Sequence, residues 1–499
     1  MIPRANADPG PMTLSDEPAS PPTRFADGAL WASVNAGAGV LVPLAIFVAF
    51  ARLLEPEAVG LVALAVACVE MLKPLGGPGL YEALLQHPPD RRDLHESVAA
   101  WLMIAGVALL PVHALVIAAL ARIIPGVADH QLLLSLIGLR VLFDLVSVQP
   151  QARLAQSLSY RILALRAVIA NALAGVTGIG IAMAGAPLAG LVTYQILQSV
   201  FGFLTTAACR QAMARPRMHR SGRGLLREGW TASAVRLVSA SNNYLDQIVI
   251  GTVIGSGLLA FFNLAKRVET VFITASSAFS QVLFQPLFAA TGSAARSRAL
   301  QHSLALITML CGLPAIVLAA NSTLAVVTVF GPQWAPAATT TAVLAMSGFA
   351  RAIGSVHGAL LSISGRNRQL LAVAAVSAAL SVLVVLPAAS LGLLWCATAL
   401  AVKNASFAAA EAWMTRHDLP GLGRVYILDV VVPLTLMFAG AWFGRGLAGL
   451  WFTEGLAASL ARLGLSGAST LLMASTYLGL RHRAGIQLRW AERSTRVAP

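Results

Sequence analysis

The chain has 499 residues, 57% hydrophobic and 11% charged, whereas soluble domains carry about a quarter charged residues. That composition excludes a soluble globular fold and predicts an all-α polytopic membrane protein. The formal net charge of +14 does not point to nucleic acid, because the arginines cluster in short loops between apolar runs.

Residues 1–26 are rich in Pro, Asp and small polar residues and lack the apolar core of a cleaved signal peptide; they are expected to form a disordered cytoplasmic tail. A spanning helix needs roughly 20 apolar residues. By that measure the first half holds predicted spans at 28–51, 58–85, 96–124, 130–156, 160–184 and 187–210. The second half holds spans at 230–254, 257–290, 299–320, 335–364, 368–389 and 391–415, followed by two more at 424–446 and 456–480. The expectation is about 14 transmembrane helices: a six-helix lobe at 27–210, a second at 230–415, and two additional helices within 416–481. The four cysteines, Cys68, Cys209, Cys311 and Cys396, lie in or beside these spans. Their spacing supports neither a zinc site nor a disulfide framework and leaves them as small hydrophobic fillers.

Between the two sets of spans lies RQAMARPRMHRSGRGLLREG, residues 210–229, with six arginines and one carboxylate, Glu228. Basic loops are poorly translocated, so the loop at 211–229 is expected to be cytoplasmic and to fix the topology. Contact with anionic lipid head groups is a further role open to it. With 14 spans the remaining inner loops hold Arg91 and Arg92, Arg153 and Arg161, Arg296 and Arg298, Arg366 and Arg368, and Arg416 and Arg424. Arg52, Arg122 and Arg445 fall outside. Both termini, including the basic tail at 482–499, are then cytoplasmic. There is also a trace of repetition: ARLLEPEAVGLVALA at 51–65 is similar to GTVIGSGLLAFFNLA at 251–265. Each joins the first two spans of a lobe, as repeated transporter halves would require.

ARLLEPEAVGLVALA, FSQVLFQPLFAA at 279–290, VFGPQWAPAA at 329–338 and GALLSISGRNR at 358–368 occur in that order. Together they resemble the oligosaccharide flippases of the polysaccharide transporter family (Wzx-type), within the multidrug/oligosaccharidyl-lipid/polysaccharide exporter superfamily. The resemblance extends over about residues 25–420. It implies two lobes around a central cavity and movement of a polyprenyl-pyrophosphate-linked oligosaccharide across the bacterial inner membrane by alternating access. It also implies work beside the other proteins of polysaccharide biosynthesis, and no ATP hydrolysis. No GxxxxGK[ST] loop is found, and neither a cofactor nor a metal is expected.

Charges inside spanning helices are costly and normally face a cavity or a partner. The seventh span carries Arg236, Ser239, Asn243, Asp246 and Gln247 on one face; the eighth carries Asn263, Lys266, Arg267, Thr270, Thr274, Ser277 and Gln281 on another. Two such stripes predict a wet cavity wall; the other reading is a polar network that only joins the helices. Lys266 and Arg267, with Arg236 and Arg351 behind them, are the candidate pyrophosphate ligands, since fixed cations can replace lost water with charge-assisted hydrogen bonds. Asn243, Gln247, Asn263, Thr270 and Ser277 are candidate sugar contacts. Asp246, then Asp144, are candidates for coupling to protons or sodium. Glu70 with Lys73, and Arg140 with Asp144, are spaced to neutralise each other within their own helices. Lys403 lies near mid-membrane, with Glu411 toward the cytoplasmic end.

Two other functions fit the same composition. A multidrug cation antiporter of the same superfamily would favour acidic residues in the cavity; here the first span has none and the eighth has adjacent cations. A polysaccharide polymerase or ligase would display a large outer loop with catalytic residues, and no predicted outer loop is long enough.

Overall fold

The computed structural model describes residues 22–77, 79–209, 212–279, 293–416, 422–451 and 456–483. Residues 1–21 and 484–499 of the expected tails, 280–290 of the FSQVLFQPLFAA stretch with Gln281, and Arg210 lie outside the described residues. Every described element is helical. Among the described residues ten helices are long and apolar enough to cross a membrane. Four more, α1 (Pro22–Leu53), α11 (Gly222–Val253), α12 (Ser256–Phe279) and α21 (Leu456–Arg483), have 24 to 32 residues. At 1.5 Å per residue the shortest is about 36 Å long, enough for a roughly 30 Å hydrocarbon layer. The protein is therefore a multi-pass helical membrane protein with about fourteen crossings. Its large exposed side chains include Val176, Leu383, Trp395, Trp442 and Phe443, the surface that lipid tails require.

Several crossings are broken, for identifiable reasons. The second predicted span becomes α2 (Pro56–Leu72), a 3-10 turn at Lys73–Gly76 and the short α3 (Leu80–Leu85), with Gly77 at φ +93° between them. Only glycine adopts that φ without penalty. After α4 (Arg92–Ala121) and the short α5 (Pro125–Asp129), the fourth span arrives as α6 (Gln131–Leu136), α7 (Leu139–Val146) and α8 (Val148–Gln156). The lobe ends with α9 (Tyr160–Met183) and α10 (Pro187–Ala207).

Beyond α12, α13 (Ser293–Ile307) and α14 (Leu313–Ala320) are joined by a π-turn at Thr308–Gly312, two residues before Pro314. The same device recurs where α19 (Leu422–Tyr426) joins α20 (Val432–Trp451): a π-turn at Ile427–Val431 ends two residues before Pro433. Proline lacks an N–H and clashes with the carbonyl one turn back, and a widened turn relieves both faults. Between these lie α15 (Ser322–Phe330), α16 (Ala337–Ile363), α17 (Asn367–Ala389) and α18 (Leu393–Met414).

Helices α2 and α16 are the most enclosed crossings. Helix α12 packs on both of them, α11 packs on α17 and α2, α16 on α18, and α9 on α10 and α1. The two similar segments at 51–65 and 251–265 meet face to face: Gly60 presses on the Ser256 carbonyl, and the Ser256 hydroxyl donates to Glu57 Oε1 at 3.4 Å. At this same end Trp334 inserts between Phe47 and Phe261, and its indole N–H donates to the Ala51 carbonyl at 2.7 Å. Thus VFGPQWAPAA docks directly on the start of ARLLEPEAVGLVALA.

The opposite end is also joined. Gly79 abuts Gly229 and Ser233, its N–H donating to Ser233 Oγ at 3.2 Å. The basic loop lies along this end: Gln149 binds the Ala212 carbonyl and the Ala214 N–H, and His219 meets Glu96 at 2.8 Å. The last two helices pack against each other through small residues, with Gly440 and Gly444 against Ser466 and Ser469, as membrane helices do in place of apolar burial. They are tied to the rest by Arg445 to the Ala320 carbonyl (2.7 Å) and Asn321 to Ser466 (2.8 Å).

Candidate functional site

A cavity of about 300 Å³ lies where α1, α2, α7 and α10 face α11 and α12. Its apolar wall is Phe47, Val59, Val62 and Val66; its polar wall includes Glu70, Arg140, Tyr194, Gln195, Gln198, Tyr244, Gln247, Asn263, Lys266, Arg267 and Thr270. The polar stripe of α12 faces this space with Asn263, Lys266, Arg267 and Thr270, whereas α11 contributes Tyr244 and Gln247.

The charges fall into two balanced groups and one remainder. On one side Lys73 binds Glu70 (2.7 Å) and Asp144 (3.1 Å), while Arg140 reaches Glu70 (3.2 Å), Asp144 (3.4 Å) and Gln195. The two pairs expected within single helices thus combine into one ring of two cations and two anions. On the other side Lys266 donates to Asp246 at 2.7 Å and lies 3.1 Å from Glu269, and Arg351 lies 3.9 Å from Glu269. Asp246 and Glu269 are both at 0% exposure. Ser347 and Asn404 complete the partners of Glu269, at 2.8 and 3.2 Å.

Arg267 is the remainder. Its Nε donates to Asn263 Oδ1 at 3.1 Å, and its guanidinium lies 4.1 Å from the centre of the Phe47 ring. Among the described residues lining this cavity it is the cation without a carboxylate partner. A hydrogen-bonded chain leads away from it: Asn263 to Gln247 Oε1 (2.9 Å), and Gln247 to the Asn243 carbonyl (3.0 Å). Arg351 closes the chain on Asn243 Oδ1 at 3.2 Å.

The sequence candidates divide accordingly. Lys266, Arg267, Gln247, Asn263 and Thr270 line the cavity together. Asn243 and Arg351 line a second cavity, of about 750 Å³, bounded by α11, α16, α17 and α18. Asp246 stands behind Lys266, and Asp144 behind Arg140. Arg236 lines neither space: it binds Glu82 of α3 at the end near the basic loop, because its position on α11 is level with α3. Ser277 also lines neither, its hydroxyl donating to the Ile273 carbonyl one turn back. Tyr194, Gln195, Gln198 and Tyr244 are not among the sequence candidates, and Glu70 and Arg140 enter there as structural ion pairs favoured over a ligand site. Glu70 and Arg140 were signalled by their charge, but spacing within a helix hid that they bond between helices. The signal for α10 was Tyr194, Gln195 and Gln198 at helical spacing in an otherwise apolar span.

A family model described as polysaccharide biosynthesis protein matches residues 49–339. No curated protein matches the sequence. Among solved structures, the lipid II flippase MurJ in an inward closed conformation aligns with a TM-score of 0.63 at 11% identity, over 91% of this chain and 98% of that one. An inward-facing multidrug resistance MATE family transporter of the MOP superfamily aligns at 0.61 and 16% identity, over 77% of this chain and 96% of that one. A MOP superfamily transporter from Pyrococcus furiosus, described as having reverse polarity of its binding pocket, aligns at 0.51 and 15%, over 80% of this chain and 96% of that one. At these identities the likeness is one of fold.

Proposed function

The chain belongs to the polysaccharide biosynthesis protein family, and from that membership we propose that it is a flippase for a polyprenyl-pyrophosphate-linked oligosaccharide. It sits in the bacterial inner membrane with both termini in the cytoplasm. The halves 27–210 and 230–415 rock about the shared cavity by alternating access, and 416–481 is an appended pair of helices. The observation that carries this reading is Arg267, a half-buried guanidinium open to the cavity without a carboxylate partner. A cation held away from bulk water without a partner is costly, and an incoming pyrophosphate supplies the missing anion in the geometry a guanidinium favours. Lys266 adds a second positive centre while remaining tied to Asp246. Tyr194, Gln195, Gln198 and Asn263 offer the polar contacts that sugars need, and the tail stays in lipid.

The shared fold with a solved flippase supports translocation over synthesis. The polarity of the cavity favours an anionic cargo over the cations of a multidrug antiporter. In cells, Arg267→Ala should reduce surface polysaccharide with the amount of membrane-inserted protein unchanged. Normal surface polysaccharide in that variant would remove Arg267 from the substrate site.

A further inference from the structure

The cavity of about 750 Å³ in the second half is larger than the one between the halves, and its chemistry is different. Its charged lining is Arg351, Lys403 and Arg368 against Glu411, an excess of two positive charges. Arg351 is already partly neutralised by Glu269 at 3.9 Å. Lys403 is not. It is 7% exposed, and its ammonium donates to Ser381 Oγ at 2.7 Å and to the Ser377 carbonyl at 3.5 Å. No described carboxylate forms an ion pair with it. Both acceptors are neutral and offer no opposite charge. Arg368 stands exposed at the mouth, at the start of α17. The rest of the wall is partly apolar, with Ile273, Leu370, Leu371, Val373 and Phe407.

We propose that this cavity is a binding site for the phosphate group of a lipid, with Lys403 at its base and Arg368 at its mouth. A buried ammonium that faces a cavity without a carboxylate is costly, and a phosphate oxygen is the partner that its donors and charge both suit. The apolar wall fits the first methylenes of a chain, which an inorganic anion would leave unused. Glu411 lies on the same wall against Gly354, about eight residues or 12 Å along α18 from Lys403. It therefore restricts an anion to the Lys403 side. The site does not rest on the reading of the first cavity, from which the buried wall of Asp246, Lys266, Glu269 and Asn404 divides it.

Two lipids carry the required group: a membrane phospholipid such as phosphatidic acid, and a polyprenyl pyrophosphate. Full-length protein carrying Arg267→Ala, which removes the cation assigned to the first cavity, is exchanged into neutral detergent, each lipid is added, and retained adducts are counted by native mass spectrometry, with phosphatidylcholine as reference. At least one of the two should be retained about tenfold more tightly than phosphatidylcholine, as expected for charge-assisted hydrogen bonds. Added to that background, Lys403→Gln should lose the preference and Lys403→Arg should keep most of it. Retention of both lipids identifies a general lipid-phosphate site; retention of the polyprenyl pyrophosphate alone identifies a second station for the cargo. If Lys403→Gln does not reach the membrane, Arg368→Gln decides, with a smaller loss expected because its side chain is exposed. No preference in the Arg267→Ala protein, or a preference unchanged when Lys403→Gln or its substitute Arg368→Gln is added, would overturn the proposal.

Discussion

Removing Lys266 leaves Asp246 and Glu269, both at 0% exposure, with one of their shared cations gone. Breaking a buried pair from one side costs about 3–5 kcal/mol. Lys266→Ala should therefore lower the thermal midpoint of the purified protein sharply, and Asp246→Asn in the same chain should recover part of the loss. Arg267→Ala should stay within about 1 kcal/mol of the native protein, since it gives up a contact with Phe47 but also removes an unpaired charge. Equal destabilisation by the two alanines would show that Arg267 has a structural partner after all. Asp246→Asn tests coupling separately: transport that depends on the ion gradient as before would rule that carboxylate out. The adjacency of Lys266 and Arg267 was plain in the sequence, as was the stripe they share with Asn263 and Thr270. Their partners were legible in part: Asp246 and Lys266 each stand ten residues from the Ser256 turn and so at one depth, and Glu269 is three residues from Lys266 but two from Arg267. What only the position of α16 supplies is Arg351 as the second cation of Glu269.

At the scale of elements, helix α2 touches α12 at one end through Gly60 and touches α11 at the other through Gly79 and α3. A methyl group at Gly60 would overlap the Ser256 carbonyl, and one at Gly79 would overlap the Gly229 carbonyl and the Ser233 N–H. Gly60→Ala should therefore loosen the seal near the 254–256 turn, where Ser256 is 5% exposed. A cysteine at 256 should react faster with a small thiol reagent in Gly60→Ala than in the native background. An unchanged rate would mean that the contact does not hold this end closed. The periodicity and length of the apolar runs made these crossings legible, and the Glu-Pro-Glu and Gly-Ser-Gly turns marked two of the ends. The breaks within spans were less so. Pro314 and Pro433 signal a disturbance, but whether a proline kinks, ends or widens a helix depends on its neighbours. The break of α2 at Gly77 required knowing that α3 turns to meet α11.

For the whole molecule, the proposed orientation rests on the alternation of arginines, and the structure refines how to test it. Ser221 is exposed beside the basic loop, whereas Ser256 is buried and Ala186 is exposed at the other end. A membrane-impermeant thiol reagent applied to intact cells should label Ala186→Cys and spare Ser221→Cys; the reverse pattern would invert the orientation. The central claim concerns the cargo, and one measurement tests it most directly. Protein is reconstituted with a fluorescent polyprenyl-pyrophosphate oligosaccharide, and the fraction of that lipid reached by an external quencher is followed over time. Native protein should equilibrate the cargo between leaflets, and Arg267→Ala at equal incorporation should slow it by at least about tenfold, the loss of one charge-assisted contact. Equilibration at the native rate in Arg267→Ala would contradict the account.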